Sequence, residues 1–143
     1  MSRLFFDTNI LIYWLEDNGP NADKVFQLVQ RMQQRRDTIV TSSLTLGEVL
    51  VKPLELGRQA LVAQYESLLA DPAVEVISFD KACARTFAAI RLDRAIAPPD
   101  AIQLACAVAG RCNLFITSDE RLARKNIPGI DFIASLDKAV NLL

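Results

Sequence analysis

The chain has 143 residues, of which 16 are Lys or Arg, 17 are Asp or Glu, three are Cys and none is His. Without histidine, an imidazole general base and a Ser-His-Asp or Cys-His catalytic centre are excluded. The length is that of about one domain, so we expect residues 1–143 to form a single domain with a substantial core. The net charge of −1 excludes a globally basic surface for nucleic acid but is compatible with a local basic groove.

The cysteines and the N-terminus indicate the compartment. Cys83, Cys106 and Cys112 lack C-x-x-C spacing, and their number is odd. The apolar run after Arg3 ends at Asp7, which is too early for a signal peptide. No segment approaches the ~18 apolar residues that a membrane span requires. We therefore expect reduced cysteines and a cytoplasmic protein that makes no contact with membranes.

Short apolar strands alternate with longer helical patterns along the chain. Strands are predicted over 4–6, 38–41, 74–79 and 114–117, and an edge strand over 130–133. Helices are predicted over 10–15, 21–36, 44–51, 54–69, 80–94, 100–110, 119–125 and 135–142. Pro53 is expected to separate the third helix from the fourth. This alternation predicts an α/β fold in which helices cover both faces of a short, mostly parallel central sheet.

Four acidic residues lie near the predicted carboxyl ends of the strands. Asp7 directly follows the first strand, and Asp119 follows the fourth. Glu48 comes about one and a half helical turns after the second strand, and Asp100 lies in the first turn of the helix that Pro98-Pro99 opens. Because ligands of open α/β sheets bind outside the carboxyl ends of the strands, we expect the four carboxylates to meet at one rim.

Each carboxylate also has a purely structural explanation. Asp7 and Asp119 have the side chain that favours helix N-caps, and Asp100 is favoured by the macrodipole at a helix start. The structural explanation for Glu48 is a solvated helix residue, and it fits least well, because Leu46 and Val49 flank Glu48 in a mostly apolar helix.

Four converging carboxylates repel one another unless a cation accompanies them. Mg²⁺ and Mn²⁺ prefer oxygen ligands, and one or two such ions activate water and stabilise charge on a phosphodiester. The acids therefore predict phosphoryl-transfer chemistry that needs no histidine.

The ordered set of motifs resembles PIN-domain ribonucleases, and the length and motif order are similar to the VapC toxins of bacterial toxin–antitoxin pairs. The resemblance covers nearly the whole chain and rests on Asp7-Thr8-Asn9, Leu44-Thr45-Leu46-Gly47-Glu48-Val49, Pro99-Asp100-Ala101-Ile102-Gln103-Leu104-Ala105 and Thr117-Ser118-Asp119. It implies a three-layer α/β/α fold and a metal-dependent endoribonuclease that uses Mg²⁺ or Mn²⁺. It also implies a homodimer that a small antitoxin protein neutralises.

The resemblance assigns roles to individual positions. Asp7, Glu48, Asp100 and Asp119 match the four acids of the family, with Asp7 and Asp100 as ligands of the principal metal. Glu48 is expected to bind the ion directly or through water, and Asp119 to complete the site or hold a second ion. Metal-activated water is expected to attack the RNA phosphodiester. Supporting polar neighbours are expected at Thr8, Asn9, Thr117 and Ser118, the last of which is Asn in many relatives.

Three cations follow the fourth acid and have two interpretations. Arg121, Arg124 and Lys125 are of the types that contact RNA phosphates. They are equally explained as a solvated helix face or as cations that favour a helix C-terminus.

Two other functions use the same residues. One is a PIN-type nuclease that processes RNA or DNA ends rather than a toxin, and the other is a non-catalytic PIN-fold binding module. A response-regulator-like phosphoacceptor domain is disfavoured, because Thr117-Ser118 stands where such a domain needs Lys. A pocket of four acids would also bind an Arg inserted by the antitoxin through charge-assisted hydrogen bonds.

Overall fold

One sheet of five parallel strands forms the centre of the structure, a computed structural model that describes residues 1–143. The strands are β1 (Arg3–Phe6), β2 (Thr38–Ser42), β3 (Val74–Ile77), β4 (Leu114–Thr117) and β5 (Phe132–Ser135). Their order across the sheet is β3-β2-β1-β4-β5, so β1 pairs with both β2 and β4. The chain builds outward from β1 on one side and then returns to add β4 on the other. The gap between β1 and β4 is therefore the topological switch point, where ligands of such sheets bind.

Seven α-helices and one 3₁₀ turn lie between and after the strands. They are α1 (Thr8–Glu16), α2 (Pro20–Arg35), α3 (Ser43–Glu55), α4 (Gln59–Ala70), α5 (Lys81–Ile90), α6 (Pro98–Ala109), the 3₁₀ turn (Leu122–Arg124) and α7 (Leu136–Leu142). Side chains of Asp7, Ser42, Asp80 and Ser135 cap α1, α3, α5 and α7 by accepting backbone N–H groups. None of the helices combines the length and apolarity of a membrane span.

Helices cover both faces of the sheet, which confirms the predicted α/β/α arrangement. Successive side chains of a strand point to opposite faces. Leu4 and Phe6 accordingly pack into the core beneath α1, α2, α3, α4 and α7, whereas Phe5 packs into the core beneath α5 and α6. In the second core the ring of Phe5 stacks on that of Phe115, with centroids 5.0 Å apart. Every strand pair is parallel, so the sheet is more regular than the mostly parallel sheet we predicted.

Most strand and helix predictions are confirmed, but the break predicted at Pro53 is wrong. Pro53 lies inside α3, which ends two residues later. The fixed φ of proline is compatible with a helix, so α3 continues past Pro53 although the hydrogen bond from residue 53 to the carbonyl four residues earlier is lost. The chain turns instead at Gly57, whose φ of 68° suits glycine.

Side-chain hydrogen bonds shorten two other predicted helices. α5 ends at Ile90 rather than near residue 94, because the Asp93 carboxylate accepts from the backbone N–H of Ala95 and fixes a turn. The helix predicted over 119–125 is only the 3₁₀ turn, where Asp119 Oδ1 accepts from the N–H of Arg121 at 2.9 Å.

Two strands also differ from their predicted ranges. β3 ends at Ile77, before the Ser78-Phe79 pair that we included. β5 begins at Phe132 rather than at residue 130, because the backbone N–H of Ile130 is used in a turn with the carbonyl of Ile127 at 3.1 Å.

Candidate active site

The fold brings the four predicted acids to the carboxyl edge of the sheet. Asp7 and Asp119 follow β1 and β4, which flank the switch point, while Glu48 is on α3 and Asp100 is in the first turn of α6. The charges of Asp7, Asp119 and Glu48 all raise the pKa of Asp100, after burial as the main cause. Asp7, Glu48 and Asp119 therefore all lie within electrostatic range of Asp100.

Asp7 is the most tightly held of the four acids. Its Oδ2 accepts from the Thr117 hydroxyl at 2.9 Å, and its Oδ1 accepts from the backbone N–H of Thr8 at 2.9 Å. Gln103 Nε2 lies 3.5 Å from the same Oδ1. Burial raises the pKa of Asp7 above its ordinary value, and the Glu48 charge adds to this, although the three hydrogen bonds oppose the rise. Asp7 thus caps α1 and also presents a carboxylate whose charge is poorly solvated.

A buried glutamine connects the elements beneath the acids. Gln103 is 1% exposed, and its Nε2 donates to Thr45 Oγ1 at 2.6 Å and to Thr8 Oγ1 at 3.1 Å. Its Oε1 accepts from the hydroxyl of Ser42, which caps α3. No buried side-chain nitrogen or oxygen in the structure lacks a partner. Gln103 therefore ties α6 to α1 and to the start of α3.

Sequence reasoning assigned no role to Gln103 or Thr45. A signal was present, because Gln103 lies three residues after Asp100 and so shares its helix face. It is also the only amide or charged side chain among the apolar residues of α6 after Asp100.

The predicted supporting residues form two groups. Thr8 and Thr117 contact the acids directly: the Thr8 hydroxyl donates to Glu48 Oε1 at 2.6 Å, and Thr117 Oγ1 accepts from the Asp119 backbone N–H at 3.1 Å. Asn9 and Ser118 instead contact each other, with Nδ2 donating to Oγ at 3.0 Å. This second pair links the start of α1 to the end of β4 beside the acids.

The negative charge of the four acids has no cationic partner in the protein. The structure contains five ion pairs, and none of them includes Asp7, Glu48, Asp100 or Asp119. Asp100 in addition has no hydrogen bond that offsets its raised pKa. Uncompensated carboxylate oxygens are the donors that Mg²⁺ and Mn²⁺ prefer, so these residues fit a divalent cation. The side chains are not gathered as a ready ligand set, since no three acidic or cysteine side chains surround a common point.

A groove of about 410 Å³ runs beside the acids and combines both signs of charge. We call it the active-site groove. Asp100 and Asp119 line it together with Arg121, Arg124 and Lys125, the three cations whose role the sequence left open. Lys125 Nζ also pairs with Asp93 Oδ2 at 2.9 Å.

The fold and this groove define a parallel α/β protein with an acidic site at the switch point of its sheet. A family model described as PIN domain matches residues 4–128. The chain belongs to the PIN domain family. Among curated proteins, no sequence matches the chain.

Solved structures with the same fold come from bacterial toxin–antitoxin complexes. A toxin-antitoxin complex from Klebsiella pneumoniae aligns with a TM-score of 0.68 and 24% identity, over 93% of this chain and 97% of that one. DNA-bound VapBC from Salmonella typhimurium gives 0.70 and 24%, over 95% and 99%. VapBC2 from Rickettsia felis, bound to a DNA fragment from its promoter, gives 0.67 and 19%, over 93% and 98%. At these identities the comparisons show a shared fold.

Proposed function

We propose that the chain is a metal-dependent endoribonuclease of the VapC type, which hydrolyses phosphodiester bonds of RNA. The observation that carries the proposal is the set of four carboxylates without a cationic partner at the switch point of a PIN-family sheet. The adjacent Arg121 and Arg124 support it, because they line the same groove as Asp100 and Asp119 and suit an anionic strand.

In this proposal Asp7 and Asp100 are ligands of the principal Mg²⁺ or Mn²⁺ ion. Glu48 binds the ion directly or through water, and Asp119 completes the site or holds a second ion. A bound divalent ion supplies an activated water and stabilises charge on the phosphodiester. The protein contributes orientation: Thr117 and the Thr8 backbone N–H hold the Asp7 carboxylate, and the Thr8 hydroxyl holds Glu48.

We further propose that a small antitoxin protein is the physiological partner and that the chain forms a homodimer. The support for the antitoxin is the similarity to solved toxin–antitoxin complexes over nearly their full chain length. An antitoxin arginine inserted among the acids would provide the missing positive charge through charge-assisted hydrogen bonds, in competition with a metal ion.

Cleavage of a mixed substrate panel tests the nuclease function. tRNA, structured ribosomal RNA fragments and matched single-stranded DNA are incubated with the protein in Mg²⁺, in Mn²⁺ and in EDTA. We expect metal-dependent cleavage of RNA and no cleavage in EDTA. Asp7→Asn should lower the rate by more than about 100-fold, since even residues that only orient metal ligands contribute about 10–100-fold.

Asp80→Asn is the matched control. Asp80 also caps a helix, as Asp7 does, but it belongs to α5 and is not among the four acids. It should cleave RNA at nearly the wild-type rate. Equal activity of wild type and Asp7→Asn would refute the assignment. A folded, antitoxin-free wild type that cleaves nothing would favour a non-catalytic binding module, and cleavage of DNA alone would exclude an RNase.

A further inference from the structure

A second groove lies next to the active-site groove and has no part in the site described above. We call it the flanking groove. It has a volume of about 480 Å³ and lies between the outer face of α5, at Arg85 and Ala89, and the segment at Asn126 and Ile127 that follows the 3₁₀ turn. Ile96, from the loop before α6, lines it as well.

The two grooves are neighbours that share a wall. Ile96 lines both of them. Asp93 of the flanking groove pairs with Lys125 of the active-site groove at 2.9 Å. The loop that forms the wall is fixed, because Arg91 Nη1 donates to the Ile96 carbonyl at 2.6 Å and Asp93 accepts from the backbone N–H of Ala95. A strand that leaves the active-site groove on this side therefore passes directly over the flanking groove.

The chemistry of the flanking groove suits a nucleotide. Its floor is apolar, because Ile90, Ile96 and Ile127 line it, and these three residues are largely buried. Its rim has the exposed polar side chains of Arg85 and Asn126, and Arg85 is not engaged in any ion pair. A nucleobase has apolar faces and hydrogen-bonding edges, and Arg and Asn side chains bind base edges and phosphates.

The flanking groove also has a cation of its own. Arg85 lines it beside the groove that Arg121 and Arg124 line, while the negative charge of Asp93 is paired with Lys125. This distribution favours a strand whose phosphates run along the cations and whose reacting phosphate lies near the carboxylates.

We propose that the flanking groove binds a nucleotide of the RNA substrate beyond the bond that is cleaved. The proposal rests on the proposed function and adds that the protein holds its substrate on one side of the cleavage site, with the base over the isoleucine floor and Arg85 and Asn126 at its edges.

Two neighbouring alanines of α5 provide a matched test. Ala89 is exposed and lines the flanking groove, whereas Ala88 is exposed and lines neither groove. Ala89→Glu and Ala88→Glu therefore add the same charge to the same helix, but only the first adds it inside the groove. Both positions are solvent-exposed helix sites where Glu costs little, and circular dichroism and the Tm verify folding.

The readout is binding of a fluorescein-labelled mixed-sequence RNA of twelve nucleotides, followed by anisotropy in EDTA so that no metal-supported cleavage occurs. We expect Ala89→Glu to weaken binding by about 5–10-fold and Ala88→Glu by less than about twofold, because a phosphate or base next to the new charge is repelled. Ala89→Lys should strengthen binding, and Ala88→Lys should not.

Equal effects of the substitutions at Ala88 and Ala89 would overturn the proposal. If the sedimentation coefficient changed only for Ala89→Glu while RNA binding did not, the groove would instead be an interface between copies of the chain. The experiment also distinguishes failure of the proposed nuclease function from failure of the proposed nucleotide-binding groove. Wild type that binds RNA with the expected Ala89 dependence but cleaves none in Mg²⁺ or Mn²⁺ supports the groove and refutes the nuclease, whereas wild type that neither binds nor cleaves refutes both.

Discussion

The hydroxyl of Thr117, the last residue of β4, donates a hydrogen bond at 2.9 Å to Oδ2 of Asp7, the first residue after β1. The Oγ1 of Thr117 in turn accepts a hydrogen bond from the backbone N–H of Asp119 at 3.1 Å. One buried hydroxyl thus fixes the position of two of the four acids across the switch point of the sheet.

Thr117→Val removes this hydroxyl with little change of shape. We expect kcat/KM for RNA cleavage to fall by about 10–100-fold, the range for groups that orient metal ligands. The concentration of Mn²⁺ needed for half-maximal activity should rise, which a purely structural role would not require. Thr117→Ser keeps the hydroxyl and should retain activity within a few-fold. Unchanged metal dependence in Thr117→Val would show that Asp7 is held adequately by its other contacts.

Gln103→Ala should destabilise the protein strongly. It leaves the buried hydroxyls of Ser42 and Thr45 without their amide partner and opens a cavity beneath the acids. We expect the free energy of unfolding in urea to fall by about 2–4 kcal/mol, from unsatisfied polar groups together with lost packing. Gln30→Ala, an exposed site on α2, is the control and should change it by less than about 0.5 kcal/mol. A loss as small as that of the control would show that the network contributes little to stability.

Asp7 and Gln103 differ in how far their roles in the site can be predicted from the sequence. The position of Asp7 was predictable, because an acid directly after a short apolar strand must lie at the carboxyl edge of a parallel sheet. Gln103 lies within a motif identified from the sequence, but its role was not predictable. Its hydrogen-bond partners come from three distant elements, β2, α1 and α3. Such a network depends on how distant segments pack, and no local pattern encodes it.

Two predicted element boundaries were wrong for a related reason. The end of α5 and the start of the 3₁₀ turn are set by the carboxylates of Asp93 and Asp119, which accept hydrogen bonds from backbone N–H groups. The sequence contains both aspartates, but its pattern does not decide whether an Asp ends one element, starts the next or lines a functional site. Asp119 has two of these roles, since its carboxylate binds backbone at the start of the 3₁₀ turn and also lines the active-site groove.

Arg121→Ala and Arg124→Ala should weaken RNA binding in a salt-dependent way. Both side chains are exposed and line the active-site groove, where they face an anionic strand in our proposal. Each lost phosphate contact should reduce the slope of log Kd against log salt by about 0.7, the value for single strands. The measurement is anisotropy of labelled RNA between 50 and 200 mM salt, roughly the range over which such contacts weaken. Arg58→Ala, which removes an exposed cation directly before α4, should leave the slope unchanged. An equal change of slope in Arg58→Ala would show that the effect comes from the net charge of the protein rather than from contacts in the active-site groove.

Asp7→Asn should make the metal-free protein more stable at neutral pH. The pKa of Asp7 is raised by burial and by Glu48, so the folded state binds its proton more tightly than the unfolded state does. Stability is therefore lost as the pH rises from the ordinary Asp pKa through the raised one, and the amide avoids this loss. In EDTA at pH 7 we expect the Tm to rise by several degrees, since about 1 kcal/mol corresponds to roughly 3–6 °C in a domain of this size.

The pH dependence and the effect of metal complete this test. The advantage of Asp7→Asn should shrink as the pH falls and vanish below the ordinary Asp pKa, where the wild-type carboxyl is protonated in both the folded and the unfolded state. Mn²⁺ should reverse the order of the two Tm values, because binding of the ion stabilises the wild type and the variant has lost a metal ligand.

Asp80→Asn should behave oppositely in EDTA. The pKa of Asp80 is lowered by hydrogen bonds from Cys83, so its charged form stabilises the fold above the ordinary Asp pKa and this contribution disappears as the pH falls. If Asp7→Asn and Asp80→Asn shifted the Tm in the same direction at pH 7, the Asp7 effect would reflect capping of α1 rather than its poorly solvated charge.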